Sequence, residues 1–260
     1  MGKLPDKQAP VVAIVGSRKP SAYGKEVTEK LATDLAKAGC VIVSGLALGV
    51  DSIAQKAALE AGGVVIGVVA DELPSISPRT NHGLAMDIIK HGGAIISEWM
   101  KGDGKVVGRW SFLERNRLVS GLADAIIITE AAERSGTLNT ATHALDQGRD
   151  LFVVPGNITS PLSAGCNSLL KQGAFAVTEA ADILQIIAPE QLKSSDQNKL
   201  PLGDSPEEDI IIKLINSGVR AGDELQKQSG LSAAQFSTAL TMLEVNGTIK
   251  ALGANNWTLR

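Results

Sequence analysis

Short apolar runs alternate along this chain with longer stretches whose apolar residues recur at helical spacing. The runs over 11–15, 41–43, 64–69, 94–97, 125–129 and 151–154 are dense in Val and Ile and read as strands. Between them, 23–38, 51–61, 88–91, 138–147 and 168–172 read as helices, the first two stopping at Gly39 and at Gly62-Gly63. The strand runs are apolar at successive positions rather than alternate ones, which calls for a sheet covered on both sides. The expected fold is α/β: an extended Rossmann-like, mostly parallel sheet with helices on both faces.

The pattern lapses between 189 and 206, where Ser, Gln, Lys, Asp and Pro dominate, as in a linker. Beyond it, 208–217, 221–229 and 233–246 read as three short helices, with Phe236, Ala239, Leu240 and Leu243 on one face of the last. The segments 247–252 and 256–259 read as a small hairpin. Three helices followed by two strands is the order of a winged-helix module. Three parts are therefore expected: a Rossmann-like domain over 1–188, a linker over 189–206 and a winged-helix-like domain over 207–260.

Composition changes this picture little. A chain of 260 residues has room for one large domain and a small one, and its 3% aromatic content makes the core aliphatic. The net charge of −3 argues against binding by overall charge but leaves room for a local basic groove. Cys40 and Cys166 are too few and too far apart for a disulfide framework or a metal site, and His82, His91 and His143 lack ligand spacing. The first ten residues carry no apolar signal segment, and no run is long enough to cross a bilayer. A cytoplasmic protein without membrane contact is the expectation.

The chemistry concentrates in turns at strand ends. Gly16-Ser17-Arg18 follows a strand and precedes a helix, an arrangement suited to an anion. The spacing to the next glycine, Gly24, excludes the Gly-x-Gly-x-x-Gly fingerprint, and no Gly-Lys-Ser/Thr phosphate loop occurs. Ser44-Gly45 closes the second strand, with Ser44 a phosphate donor and Asp51 a structural helix cap. Arg115-Asn116-Arg117, with Lys101, Lys105 and Arg109 ahead of it, concentrates positive charge, and Trp110 and Phe112 can stack on bases. The competing structural reading is a helix start whose arginines pair with Glu98, Glu114 or Glu130. Ser135-Gly136-Thr137 offers hydroxyls and amides at another helix start, with Glu130 placed to orient an arginine. Pro155-Gly156 and Gly165-Cys166-Asn167 add turns at the same edge, where open α/β sheets bind ligands. No nucleophile elbow, zinc motif or carboxylate pair stands out, so no catalytic residue, metal site or cofactor is expected.

In this order, the turns resemble those of the DNA-processing protein A family, DprA or Smf. The likeness runs from about Val11 to Ile187 and rests on Gly16-Ser17-Arg18 with Ser21 and Tyr23-Gly24, and Ser44-Gly45-Leu46-Ala47 with Gly49 and Asp51. Arg115-Asn116-Arg117 with Ser120-Gly121-Leu122, Glu130-Ala131 with Ser135-Gly136 and Thr140-Ala141, Gly148-Arg149, Val154-Pro155-Gly156 and Gly165-Cys166-Asn167 continue it. Phe112 is followed by Leu113 where the family usually has Pro, and the extra N-terminal helical domain of many members is not expected here. The resemblance implies a non-enzymatic single-stranded DNA binder that protects incoming strands, loads the RecA recombinase during natural transformation and self-associates as a homodimer. It carries over Arg18, Ser44, Arg115, Asn116, Arg117, Ser135, Gly136 and Thr137 as DNA contacts.

The rival reading is an enzyme of the nucleotide phosphoribohydrolase class, which uses a similar sheet and a turn ending Gly-Thr-x-x-Glu. Here Gly136-Thr137 leads to Thr140, which lacks the carboxylate needed to stabilise charge developing on a ribose. A third reading is a regulatory adaptor acting through the small domain.

Overall fold

The computed structural model describes residues 1–5, 9–104, 106–189, 203, 205–253 and 255–259. The chain divides into two compact units, Met1–Leu192 and Lys193–Arg260. In the first, β1 (Val11–Val15), β2 (Val41–Ser44), β3 (Val65–Val68), β4 (Ala94–Ile96), β5 (Ala125–Ile128), β6 (Asp150–Val153) and β7 (Phe175–Ala176) form one sheet in the order β4-β3-β2-β1-β5-β6-β7. Every neighbouring pair is parallel. The expected α/β fold is the observed one.

Successive strand residues feed opposite layers, as a pleat requires. Val12, Ile14, Ile42, Val65 and Ile127 pack on one face against α1 (Ala22–Lys37), α2 (Val50–Glu60), α3 (His82–Lys90) and α7 (Ala180–Ile187). Ala13, Val15, Val43, Ile66, Ile126 and Ile128 pack on the other, beside α4 (Arg109–Gly121), α5 (Thr137–Asp146) and α6 (Ala164–Lys171). This double burial explains the unbroken Val and Ile runs.

The differences from the expected elements are instructive. β7 and α7 complete the sheet and its cover beyond the last expected strand. Helices expected at 88–91 and 168–172 begin earlier, at His82 and Ala164. The largest correction concerns Arg115-Asn116-Arg117, which is not a turn but lies inside α4. The buried stripe of that helix includes Ser111, Arg115 and Val119, at i, i+4 and i+8. With serine and arginine on the inward face, the apolar periodicity that announces a helix is missing.

The second unit holds α8 (Pro206–Asn216), α9 (Gly222–Ser229) and α10 (Ala233–Val245), followed by the antiparallel pair β8 (Ile249–Gly253) and β9 (Asn256–Leu259). Ile211, Ile212, Ile215, Leu225, Phe236, Leu243 and Ile249 form its core. Ser205 and Ser232 cap α8 and α10 by accepting from the amides of Glu208 and Gln235. The linker expected over 189–206 falls mostly on residues outside those described, as does Lys105.

Both cysteines are buried free thiols. Burial pushes the Cys40 thiol up to about 12 and the Cys166 thiol up to about 11. Both stay protonated at neutral pH, so they should react with thiol reagents only as the unit opens. Labelling rates followed across a urea titration should track global unfolding. Fast labelling of the native chain would contradict the packing described.

Candidate nucleic-acid interface

The order of strands reverses between β1 and β5, and the loops leaving their C-terminal ends part there to leave a crevice. A cleft of ≈ 570 Å³ occupies this place, lined by the β1–α1 loop, the starts of α2 and α5, one face of α4 and the loop after β5. The loops are tied to each other by backbone bonds: Ser17 N donates to Glu130 O at 2.7 Å and Val50 N donates to Ser17 O at 3.1 Å. Gly49 sits at φ +81° in the left-handed region, and a Cβ there would lie 2.4 Å from Ser17 O. Only glycine suits this crossing.

Arg115 forms the floor. It is 5% exposed, and its Nη1 donates to Gly45 O at 2.6 Å and also to Val68 O. Burial pulls the guanidinium down from its usual range and Asp51 opposes that pull. Conversely, burial pushes the Asp51 carboxyl up, while Arg115 and the Gly45 amide, 3.0 Å from Oδ2, hold it down. Gly45 is required for space: a Cβ on it would stand 2.5 Å from Arg115 Nη2. The two buried groups, Arg115 from α4 and Asp51 from α2, offset part of each other's burial electrostatically beside the ends of β2 and β3.

The cleft walls carry the cations that solvent reaches. Arg18 and Arg134 are exposed and both line the cleft. Arg18 Cζ stands 5.9 Å from the centroid of the half-buried Phe112 ring, a cation–π contact that steers the guanidinium along the wall. Ser135 Oγ donates to Thr137 Oγ1 at 3.0 Å, which donates to Gly16 O at 3.0 Å. This hydroxyl chain pins the start of α5 to the end of β1. Asn116 lines the cleft as well, its Nδ2 donating to Asn139 Oδ1 at 3.4 Å.

Of the residues expected to contact DNA, Arg18, Arg115, Asn116, Ser135, Gly136 and Thr137 are brought together around this cleft. Ser44 is a correction: it is 0% exposed, and its hydroxyl donates to Ile14 O at 2.6 Å inside the sheet. Arg117 stands apart. Two positions after Arg115 on a helix, it points to another face and pairs with Glu98, outside the residues lining the cleft. Glu130 does not orient an arginine. It is 2% exposed, and its two carboxylate oxygens accept from Ser21 N at 2.8 Å and Ser21 Oγ at 2.6 Å. Asp51 is structural as expected, but Gly49 occupies the N-cap position and Asp51 lies in the first turn. Arg134 was not among the expected contacts, although its place just before Ser135-Gly136-Thr137 could have marked it.

Among the described residues no group of three His, Cys, Asp or Glu side chains could hold a metal ion, and no helix is long and apolar enough to cross a membrane. At the position where a phosphoribohydrolase motif has its carboxylate stands Thr140, 2% exposed.

Together these features define a doubly wound α/β unit with a cationic cleft at its switch point, carried in one chain with a winged-helix unit. The chain belongs to the DNA recombination-mediator protein A family, whose model matches residues 1–188, while that of the DprA winged helix domain matches 195–255. It is 38% identical to Protein Smf of Escherichia coli over 251 residues, covering 93% of this chain and 66% of that protein. It is 41% identical to DNA processing protein DprA of Bacillus subtilis over 174 residues, 67% of this chain and 58% of the relative. The chain therefore spans less than two thirds of the length of these relatives. A solved structure of DNA processing protein A from Helicobacter pylori, described for its single-stranded DNA binding mode, is similar at TM-score 0.63 and 37% identity, covering 72% of this chain and 86% of that one.

The geometry separates two arginines that the sequence sets side by side. Arg115→Ala strips the Gly45 and Val68 carbonyls of their donor and leaves the buried Asp51 without the cation that offsets its burial, and should cost about 3–5 kcal/mol of stability. Arg117→Ala removes a half-exposed surface pair and should cost no more than about 1 kcal/mol. Urea unfolding of the two variants measures both, and equal losses would refute the structural role of Arg115.

Proposed function

We propose that this chain is a single-stranded DNA-binding protein of the DprA type, holding the phosphodiester backbone in the cleft at the β1–β5 switch point. The carrying observation is that two exposed guanidinium groups, Arg18 and Arg134, face one cleft whose floor cation is already committed to the protein. An exposed arginine beside a helix start suits phosphate, and an adjoining aromatic ring suits a base. Ser135, Gly136, Thr137 and Asn116 supply the polar lining, and Arg115 acts from beneath by fixing the loops. The binding described for the Helicobacter pylori relative supports the same reading.

In this reading residues 1–188 form the DNA-binding domain, 189–206 the linker and 207–260 a winged-helix-like domain. The DNA contacts belong to the first: α10, which occupies the place of a recognition helix, contains no Lys or Arg. The protein acts in the cytoplasm as a homodimer and by binding rather than turnover. It protects incoming single strands and passes them to the RecA recombinase in natural transformation.

The test is affinity for a single-stranded oligonucleotide as a function of salt, using the full chain. Binding should weaken as salt rises, with a log–log slope of roughly −0.7 per phosphate neutralised. Arg18→Ala and Arg134→Ala should each weaken binding and make the slope shallower by about 0.7, while Arg117→Ala leaves both unchanged. If Arg18→Ala and Arg134→Ala bind as the parent does, this cleft is not the DNA site.

A further inference from the structure

A second cleft, of ≈ 430 Å³, opens on the same rim, and Ser21, Tyr23, Glu130, Pro155, Gly156 and Asn157 are among the residues that line it. It adjoins the Arg18 cleft through two shared loops. Ser17 and Arg18 line the first cleft and Ser21 the second; Ala132 lines the first and Glu130 the second. From these contacts we propose that the second cleft takes a nucleobase of the strand whose phosphate lies against Arg18, with the Tyr23 ring as its stacking platform. The proposal rests on the reading of the first cleft as the single-strand site.

Three observations carry it. Tyr23 is 46% exposed in the first turn of α1, yet its hydroxyl donates to Pro155 O at 2.9 Å. An open aromatic face tethered at its polar end is pre-organised for stacking. The residues lining this cleft include no Lys or Arg but do include the Glu130 carboxylate. That charge repels phosphate and admits a neutral, flat group. Finally, the two clefts are bounded by the same two loops, so a strand held at Arg18 passes beside the Tyr23 cleft. Stacking on Tyr23 is indifferent to base identity, because every base has a π-face.

The test is a double-mutant cycle with the full chain and a single-stranded oligonucleotide carrying one abasic residue, moved stepwise along the strand. Tyr23→Ala should weaken binding of the intact strand by about 5- to 100-fold, while Tyr23→Phe retains the affinity within a few fold. At one abasic position Tyr23→Ala should cause no further loss, because the base it would stack on is already gone. The proposal is overturned if Tyr23→Ala leaves affinity unchanged, or if it weakens every abasic strand by the same factor as the intact one, which would mark a structural role. Arg18→Ala, measured alongside, separates the two readings. If it weakens binding while Tyr23→Ala does not, the platform alone fails; if neither variant weakens binding, both readings fail.

Discussion

The buried guanidinium of Arg115 is the constraint on which the rim of this sheet depends. The loop after β2 and the end of β3 both turn carbonyl oxygens inward, and a single side chain from α4 satisfies them. A buried carbonyl without a donor is costly, and a buried cation without a counter-charge more so. Asp51, delivered by the first turn of α2, supplies that charge, and Gly45 leaves the space that the guanidinium fills. Each group shifts the ionisation of the other against the pull of burial. The result is a rigid junction of four elements directly beneath the cleft.

With the floor held from within, the walls are free to face a ligand. Arg18 and Arg134 reach solvent, while the hydroxyls of Ser135 and Thr137 fix the loops behind them. The division follows from exposure. A buried arginine bonded to backbone carbonyls is held in place by the fold, whereas an exposed one is free to turn toward a ligand without breaking it. Sequence spacing conceals this division, since the buried Arg115 and the exposed Arg117 flank the same asparagine.

Much of the fold is legible in the chain because a sheet buried on both faces must spell out its strands as Val and Ile runs. The C-terminal module shows itself by the spacing of Phe236, Ala239 and Leu243, all buried in its core. Helix α4 is hidden because its inward face carries Ser111 and Arg115, so a polar stretch that reads as a charged turn is a packed helix. The site was half visible. Ser135-Gly136-Thr137 stands at a helix start, as its glycine and hydroxyls suggest, whereas Gly16-Ser17-Arg18 lies in the loop ahead of α1, whose cap is Ser21. Ser44 misleads because a serine ending a strand looks the same whether its hydroxyl faces a ligand or a neighbouring carbonyl. Nothing local in sequence relates Arg115 to Asp51, because their electrostatic coupling arises from the crossing of α4 over the ends of β2 and β3.

The acidic balance of the chain does not oppose a polyanionic ligand, because the field at the rim is set by the groups within a Debye length, about 8 Å at physiological salt. There the charges are sorted rather than averaged. Arg18, Arg115 and Arg134 outnumber Asp51 around the first cleft, and Glu98 is held outside it by Arg117. Glu130, whose oxygens are bound by the Ser21 amide and hydroxyl rather than by a cation, lies on the far side of the shared loops. A cleft lined by three arginines adjoins one lined by a carboxylate and no Lys or Arg. Two loops, each contributing to both clefts, thus give the rim a polarity that net charge does not reveal.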